Sequence, residues 1–120
     1  MKAAILLAHG SREPQARASF EALVERVAQA LPDLVVRPAY FSLGEPDLAT
    51  QVEALVQAGA TAVRILPFFL LDGVHTRRDI PALVASLRHR WPDVTIELDP
   101  CLQDDPALER LLVDRLHASS

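Results

Sequence analysis

Short apolar runs alternate with amphipathic segments four times along the chain. The runs have the length of buried β-strands and lie near residues 3–8, 34–41, 62–67 and 94–98. In the segments that follow them, apolar residues recur every three or four positions, which indicates helices near residues 14–30, 46–58, 79–90 and 106–118. The pattern therefore predicts four consecutive strand–helix units.

Proline and glycine mark several of the predicted helix ends. The first turn of a helix tolerates proline because its N–H groups have no acceptor within the helix, and three prolines occupy such positions: Pro14, Pro46 and Pro106. Gly59 follows the second helix and is a predicted C-cap. Asp79 is predicted to cap the third helix, either alone or in a capping box with Thr76.

The fourth predicted helix has the leucine spacing of a helix that buries one face. The residues that form this face are Leu108, Leu111, Leu112 and Leu116. This spacing repeats that of the first predicted helix, whose apolar face is expected to be buried.

Alternation of strands and helices determines the predicted fold class. Right-handed crossovers would join the strands into a parallel sheet with helices on both faces, and 120 residues suit a single domain spanning 1–120. We predict an α/β fold with a flavodoxin-like, four-stranded parallel sheet of order 2-1-3-4. In such a sheet, ligands bind at the carboxyl ends of strands 1 and 3, where the strand order reverses direction.

Composition narrows the range of partners and locations. The formal net charge is −4 and no cluster of Lys or Arg occurs, which argues against nucleic-acid binding. The apolar runs are far shorter than the roughly 20 residues that span a bilayer, so no membrane segment is expected. Cys101 is the single cysteine, which excludes an internal disulfide and favours a cytoplasmic location.

Two histidines and a carboxylate fall at the predicted ligand-binding edge of the sheet. His9 ends the first strand, His75 lies in the predicted loop after the third, and Glu45 lies in the loop after the second. Two imidazoles and a carboxylate suit a borderline divalent metal ion. Each residue also has a structural alternative, because a histidine at a strand end often only forms hydrogen bonds and Glu45 could stabilise a helix dipole.

Three arginines are predicted to lie on the same edge. Arg12 follows the first strand, and Arg77 and Arg78 follow His75. Arginines near loops are usually solvated, but their position beside the candidate metal ligands makes them candidates for binding an anionic substrate. The other two histidines, His89 and His117, fall within predicted helices away from this edge and are expected on the surface.

Two motifs resemble a known enzyme family. They are "LLAHGSREP" at residues 6–14 and "PFFLLDGVHTRRDIP" at residues 67–81, and the similarity covers essentially the whole chain. The chain resembles the small, CbiX-type sirohydrochlorin chelatases, which belong to the class II tetrapyrrole chelatases. The resemblance implies insertion of cobalt(II), or of iron(II) as in related enzymes, into sirohydrochlorin during cobalamin or sirohaem biosynthesis. It also implies that His9 and His75 bind the metal and take part in removing pyrrole protons.

The resemblance assigns further residues to the substrate. Gly10 and Gly73 would allow the backbone to approach a flat macrocycle, and Ser11 joins them as a substrate-binding residue. The carboxylates of sirohydrochlorin would pair with the three arginines named above. The family often has an acidic residue where this chain has Ser42, which leaves Glu45 as the candidate catalytic carboxylate.

Larger members of the family carry two such halves in one chain, so the resemblance implies that this single half forms a homodimer. The metal is a substrate, and ATP is not expected because the sequence has no phosphate-binding GxxxxGK[ST] loop. The alternatives are an iron or nickel chelatase on the same fold and a non-catalytic carrier of metal or tetrapyrrole. A phosphohistidine-type phosphatase is disfavoured because that mechanism requires Arg directly before His-Gly, where this chain has Ala8.

Overall fold

The computed structural model describes residues 1–70 and 73–118, apart from the side chains of His75 and Ala118. The four strands are β1 (Lys2–Gly10), β2 (Val35–Leu43), β3 (Ala62–Pro67) and β4 (Thr95–Leu98). The four α-helices are α1 (Pro14–Ala30), α2 (Leu48–Gln57), α3 (Val74–Arg90) and α4 (Pro106–Ala118), and a short 3₁₀ helix (Leu102–Asp104) precedes α4.

The strands form one parallel sheet of order β2-β1-β3-β4, which confirms the predicted topology. β1 lies between β2 and β3, so the carboxyl ends of these three strands meet at one edge of the sheet. The pairing of β1 with β2 shifts register between Ala8 and Gly10, directly at His9. This irregularity changes the course of the strand where the candidate site begins.

Alternate side chains of β1 enter two separate core layers. Ile5 and Leu7 are fully buried against α2 and α3 on one face of the sheet, together with Val52 and Val84. Leu6 points to the other face, where a second apolar cluster includes Phe20 and Val24 of α1. Helices therefore cover both faces, as the alternation of strands and helices predicts.

Two predicted helix starts are wrong. α2 begins at Leu48 rather than Pro46, because Asp47 is the N-cap and its carboxylate accepts a hydrogen bond of 2.8 Å from the Thr50 N–H. This bond holds the pKa of Asp47 below its ordinary value, since it stabilises the charged form.

Helix α3 begins at Val74, five residues before the predicted start at 79. Its cap is Gly73, whose N–H donates to the Thr76 hydroxyl oxygen at 2.8 Å, while that hydroxyl donates back to the Gly73 carbonyl at 2.9 Å. Asp79 therefore lies inside the helix and does not cap it. Pro81, which resembles a start signal in the sequence, also lies within the helix.

The remaining predicted ends agree with the structure. Pro14 and Pro106 are the first residues of α1 and α4. Gly59 follows α2 with φ of +107°, and its N–H donates to the Val56 carbonyl while the next N–H, of Ala60, donates to the Leu55 carbonyl. These two bonds form a Schellman motif, which ends the helix.

Helix α4 contradicts the prediction that its leucine face is buried. Leu111 is 52% exposed and Leu112 is 54% exposed, and no described residue of α4 belongs to either core cluster. The radius of gyration of 15.2 Å exceeds the roughly 13.6 Å expected for a compact chain of this length.

Across residues 1–70 and 73–118, no helix combines the length and apolar character needed to cross a membrane.

Candidate active site

The ring of His9 lies between two aromatic rings at the carboxyl edge of the sheet. Phe41 of β2 meets it edge-on, with ring centroids 6.0 Å apart, and Phe69, which follows β3, lies at 5.2 Å with its ring tilted. His9 nevertheless remains exposed to solvent. The two phenyl rings therefore restrict the imidazole while leaving it accessible to a ligand above the sheet.

Backbone contacts with β2 fix the position of His9. The Ser42 hydroxyl donates to the His9 carbonyl at 3.1 Å, and the Ser11 N–H donates to the Leu43 carbonyl at 2.9 Å. Ser42 thus has a structural contact in this chain. It ties the end of β2 to the residue that carries the candidate ligand.

Gly10 is required by the backbone around it. Its φ is +106°, and a Cβ atom at this position would lie 2.5 Å from the Leu43 carbonyl oxygen. Any larger residue would therefore combine an unfavourable conformation with a clash against the main chain of β2. The close approach that needs this glycine is to β2, and its contact with substrate stays a prediction.

Ser11 connects the site to the first turn of α1. Its hydroxyl oxygen accepts from the Glu13 N–H at 3.0 Å, and its carbonyl accepts from Arg17 Nη1 at 2.7 Å. These bonds, with the N–H bond to β2, engage its backbone groups and its hydroxyl oxygen. The structure thus gives Ser11 a role in shaping the loop, and its role in substrate binding stays a prediction.

A cavity of about 190 Å³ lies beside His9 and includes residues that the sequence analysis did not select. Phe68 and Phe20 stack with ring centroids 5.3 Å apart and form part of its wall, and Arg17 also lines it. Tyr40 lines it too and donates its hydroxyl proton to Glu21. Burial, reinforced by that hydrogen bond and by the Glu21 charge, raises the pKa of Tyr40 to about 12, so the phenol stays protonated.

The N-terminal part of α3 carries the other predicted ligand and two of the arginines. His75 lies in the first turn of this helix rather than in a loop, and its side chain lies outside the described part of the chain. Arg77 lines a second cavity of about 390 Å³ that it shares with Phe69 and Cys101. Arg78 is exposed and forms an ion pair of 3.2 Å with Asp79. Because Phe69 contacts His9 and also lines this cavity, the two regions are neighbours.

Three other predicted site residues do not line the cavity beside His9. Glu45 is exposed in the loop after β2 and lines a cavity of about 790 Å³ with Ser42 and Thr50, which is separate from the cavity that His9 lines. Arg12 is exposed in the loop before α1. Gly73 is the N-cap of α3, and a Cβ atom there would only make ordinary contact, 3.8 Å from the Thr76 hydroxyl. The proposed roles of these three residues stay predictions.

With the His75 side chain left aside, the described residues contain no group of three or more His, Cys, Asp and Glu that could hold a metal ion. The role of His9 as a metal ligand stays a prediction.

Comparison with protein families matches residues 3–119 to the family described as CbiX. A sirohydrochlorin ferrochelatase of Priestia megaterium is 27% identical over 120 residues, which are all of this chain and 45% of that protein. A sirohydrochlorin cobaltochelatase of Methanopyrus kandleri is 34% identical over 93 residues, 78% of this chain and 64% of that protein. The chain thus spans between about half and just under two thirds of the length of these relatives.

Solved structures share the fold over nearly the whole chain. A crystal structure described as a cobalamin (vitamin B12) biosynthesis CbiX protein from Marinobacter aquaeolei has a TM-score of 0.86 and 31% identity, covering 99% of this chain and 97% of that one. The sirohydrochlorin chelatase SirB from Bacillus subtilis subspecies spizizenii, in complex with cobalt, has a TM-score of 0.83 and 30% identity, covering 98% of this chain and 51% of that one.

Proposed function

Because the chain belongs to the CbiX family, we propose that it is a chelatase that inserts a divalent metal ion into sirohydrochlorin without ATP. The observation that carries this proposal is the exposed imidazole of His9, held between Phe41 and Phe69 at the carboxyl edge of the sheet. That edge is where a parallel sheet of this order binds ligands. The names of the relatives supply the substrate.

The proposed reaction exchanges protons for a metal ion. A divalent ion replaces two pyrrole N–H protons, so the site must deliver the ion with part of its water shell removed and must accept protons. A neutral imidazole performs both tasks, because its free nitrogen binds a borderline metal and can also take up a proton. We assign this chemistry to His9 and, on the same edge, to His75, with Glu45 as a candidate acceptor at the rim.

Aromatic side chains around His9 suit a flat substrate. Phe41 and Phe69 flank the imidazole, and Phe68 stacks on Phe20 at the neighbouring cavity. These faces offer apolar contact to the macrocycle, while its carboxylates reach outward toward charged groups. These contacts would hold the face of the macrocycle against the imidazole nitrogen of His9 that delivers the metal, before the reaction begins.

Arginine substitutions test the binding of the carboxylates. Replacing Arg77 or Arg12 with alanine should raise the Michaelis constant for sirohydrochlorin, since each lost charged hydrogen bond costs about 1.5–3 kcal/mol, and should change kcat less. Arg26, exposed near the far end of α1, provides the matched control and should leave both constants unchanged on replacement. The measurement is steady-state kinetics. Unchanged Michaelis constants for Arg77→Ala and Arg12→Ala would show that these arginines are solvated and do not bind the substrate.

We further propose a homodimer located in the cytoplasm. The chain matches 45% of the ferrochelatase relative, and we propose that a second copy supplies the counterpart of the rest. The single cysteine, Cys101, supports a reducing compartment.

Cobalt is the proposed metal, within cobalamin biosynthesis. The full-length match to a cobalamin biosynthesis CbiX protein and the similarity to a cobaltochelatase support cobalt, while the ferrochelatase relatives favour iron as the alternative. Nickel would also suit imidazole ligands. Anaerobic absorbance assays with each ion separately should give the highest rate above the protein-free reaction with cobalt(II). A higher rate with iron(II) or nickel(II) would contradict the assignment of cobalt. It would not contradict the proposal that the protein inserts a divalent metal ion into sirohydrochlorin.

A further inference from the structure

The cavity beside His9 combines apolar walls with a cation. The apolar residues that line it are Ala8, Ala16, Phe20 and Phe68. Arg17 lines it too and is only partly exposed. The volume of about 190 Å³ is below the roughly 300 Å³ of pockets that enclose a whole small-molecule ligand. The cavity can therefore take an arm of a large substrate but not a macrocycle.

No ion pair joins Arg17 to a carboxylate within residues 1–70 and 73–118. Glu21 lies four residues later on α1, at the spacing of a helical ion pair, but its carboxylate accepts the hydroxyl proton of Tyr40. Arg17 Nη1 instead donates to the Ser11 carbonyl at 2.7 Å. A guanidinium has several N–H donors and this bond uses one of them, so the others can donate to a ligand.

Two interactions locate the guanidinium of Arg17 at the cavity. The bond to Ser11 ties it to the loop that follows His9. Burial and Glu21 raise the pKa of Tyr40, and the charge of Arg17 opposes this rise, so the cation lies near the phenol that also lines the cavity. A cation held on an apolar wall suits a ligand that ends in a carboxylate, because charge-assisted hydrogen bonds are strong where side chains exclude water.

We propose that this cavity is a subsite for one acidic side chain of the tetrapyrrole, in which Arg17 binds the carboxylate and the apolar walls contact the methylene groups. Because the subsite rests on the proposed function, its ligand is sirohydrochlorin, which carries its carboxylates on short aliphatic arms. His9 lines the same cavity, so an arm held there would fix the rotation of the macrocycle relative to the imidazole. Arg17 is thus a positioning and specificity residue, distinct from the exposed Arg12 and Arg77.

Titration of sirohydrochlorin without metal tests the role of Arg17. Arg17→Met should raise the dissociation constant about tenfold or more, as expected for loss of one charged hydrogen bond, with binding followed by the fluorescence of the macrocycle. Arg26→Met removes the same charge from an exposed position later on α1 and should bind as the wild type does. An unchanged dissociation constant for Arg17→Met would overturn the proposal.

The methyl ester of sirohydrochlorin separates ligand binding from a purely structural role. Every carboxylate is neutral in this ester, so the dissociation constants of Arg17→Met and the wild type should become nearly equal. A ratio as large as that measured with the free acid would mean that Arg17 acts only by holding the loop at Ser11. That result would overturn the subsite.

Filling the cavity tests its occupation without changing Arg17. Ala16 is exposed on α1 and lines the cavity, and leucine is also a strong helix former, so Ala16→Leu should fold and raise the dissociation constant of the free acid about tenfold. Ala22→Leu makes the same change at an exposed position of α1 outside the cavity and should have no effect. Wild-type affinity in Ala16→Leu would overturn the subsite.

Failure of the subsite and failure of the proposed function give different results. A wild type that does not bind sirohydrochlorin at all would contradict both. Metal insertion by a wild type whose Arg17→Met and Ala16→Leu variants bind normally would contradict the subsite alone.

Discussion

Replacing His9 with alanine is expected to lower the rate of metal insertion by about a hundredfold or more. A positioned group that transfers protons contributes about 10²–10⁴ in rate, and the same imidazole is proposed to deliver the metal ion. The substitution removes a side chain that is exposed and contacts Phe41 and Phe69 only through its ring, so the fold should be retained. The measurement is the steady-state rate at limiting metal, together with circular dichroism to verify folding.

His89 provides the matched control for this prediction. It is an exposed histidine near the opposite end of α3, and His89→Ala should retain the wild-type rate. His75→Ala should resemble His9→Ala, and the double variant should be little slower than either, because residues that act as a unit are not additive. Full turnover by His9→Ala at limiting metal would show that the site lies elsewhere.

Gly10→Ala is expected to cause the largest loss of stability. The residue has φ of +106°, and the added Cβ would lie 2.5 Å from the Leu43 carbonyl oxygen, a backbone atom that cannot rotate away. The conformation costs about 1–2 kcal/mol, and the forced shift of β1 against β2 should add about 1–3 kcal/mol. Urea denaturation should therefore show a free energy of unfolding reduced by about 2–5 kcal/mol.

Gly59 separates the two causes. Its φ of +107° is almost the same as that of Gly10, but nothing lies within 4 Å of the position that a Cβ would occupy. Gly59→Ala should therefore show only the conformational cost, about 1–2 kcal/mol. Equal losses in the two variants would mean that the Gly10 loop can move away from β2, and the rigid support proposed for His9 would then be absent.

Local patterns were sufficient to predict the strands, the helices and the parallel pairing, and the order 2-1-3-4 came from the similarity to flavodoxin-like sheets. Each strand is a short apolar run and each crossover contains a helical stripe, which leaves few topologies open. The start of α3 was missed because Gly73 and Thr76 cap the helix through bonds that a loop could also form. Pro81 resembles a first-turn residue but lies inside the helix. For α4, periodicity identified the apolar face but could not specify what covers it.

The candidate site was predicted in part for similar physical reasons. His9 was found because it ends an apolar strand at the edge where ligands bind, and the structure places it there. Phe41 falls in the second apolar run and Phe69 in the second motif, and neither was selected as a site residue, because only the tertiary structure shows that their rings contact the imidazole. Gly10 was assigned to substrate binding in the sequence analysis. Its close contact with Leu43 arises from the pairing of β1 with β2, and no local motif shows that pairing.

Catalytic turnover is the most direct test of the account. Purified protein would be mixed anaerobically with a large molar excess of sirohydrochlorin and cobalt(II), and formation of the metallated product would be followed by absorbance. The account predicts many product molecules for each protein chain, at a rate well above that of the metal alone, and loss of this excess in His9→Ala. Uptake that stops at one metal or one macrocycle per chain would identify a carrier, and a rate no higher than the protein-free reaction would contradict the proposed function.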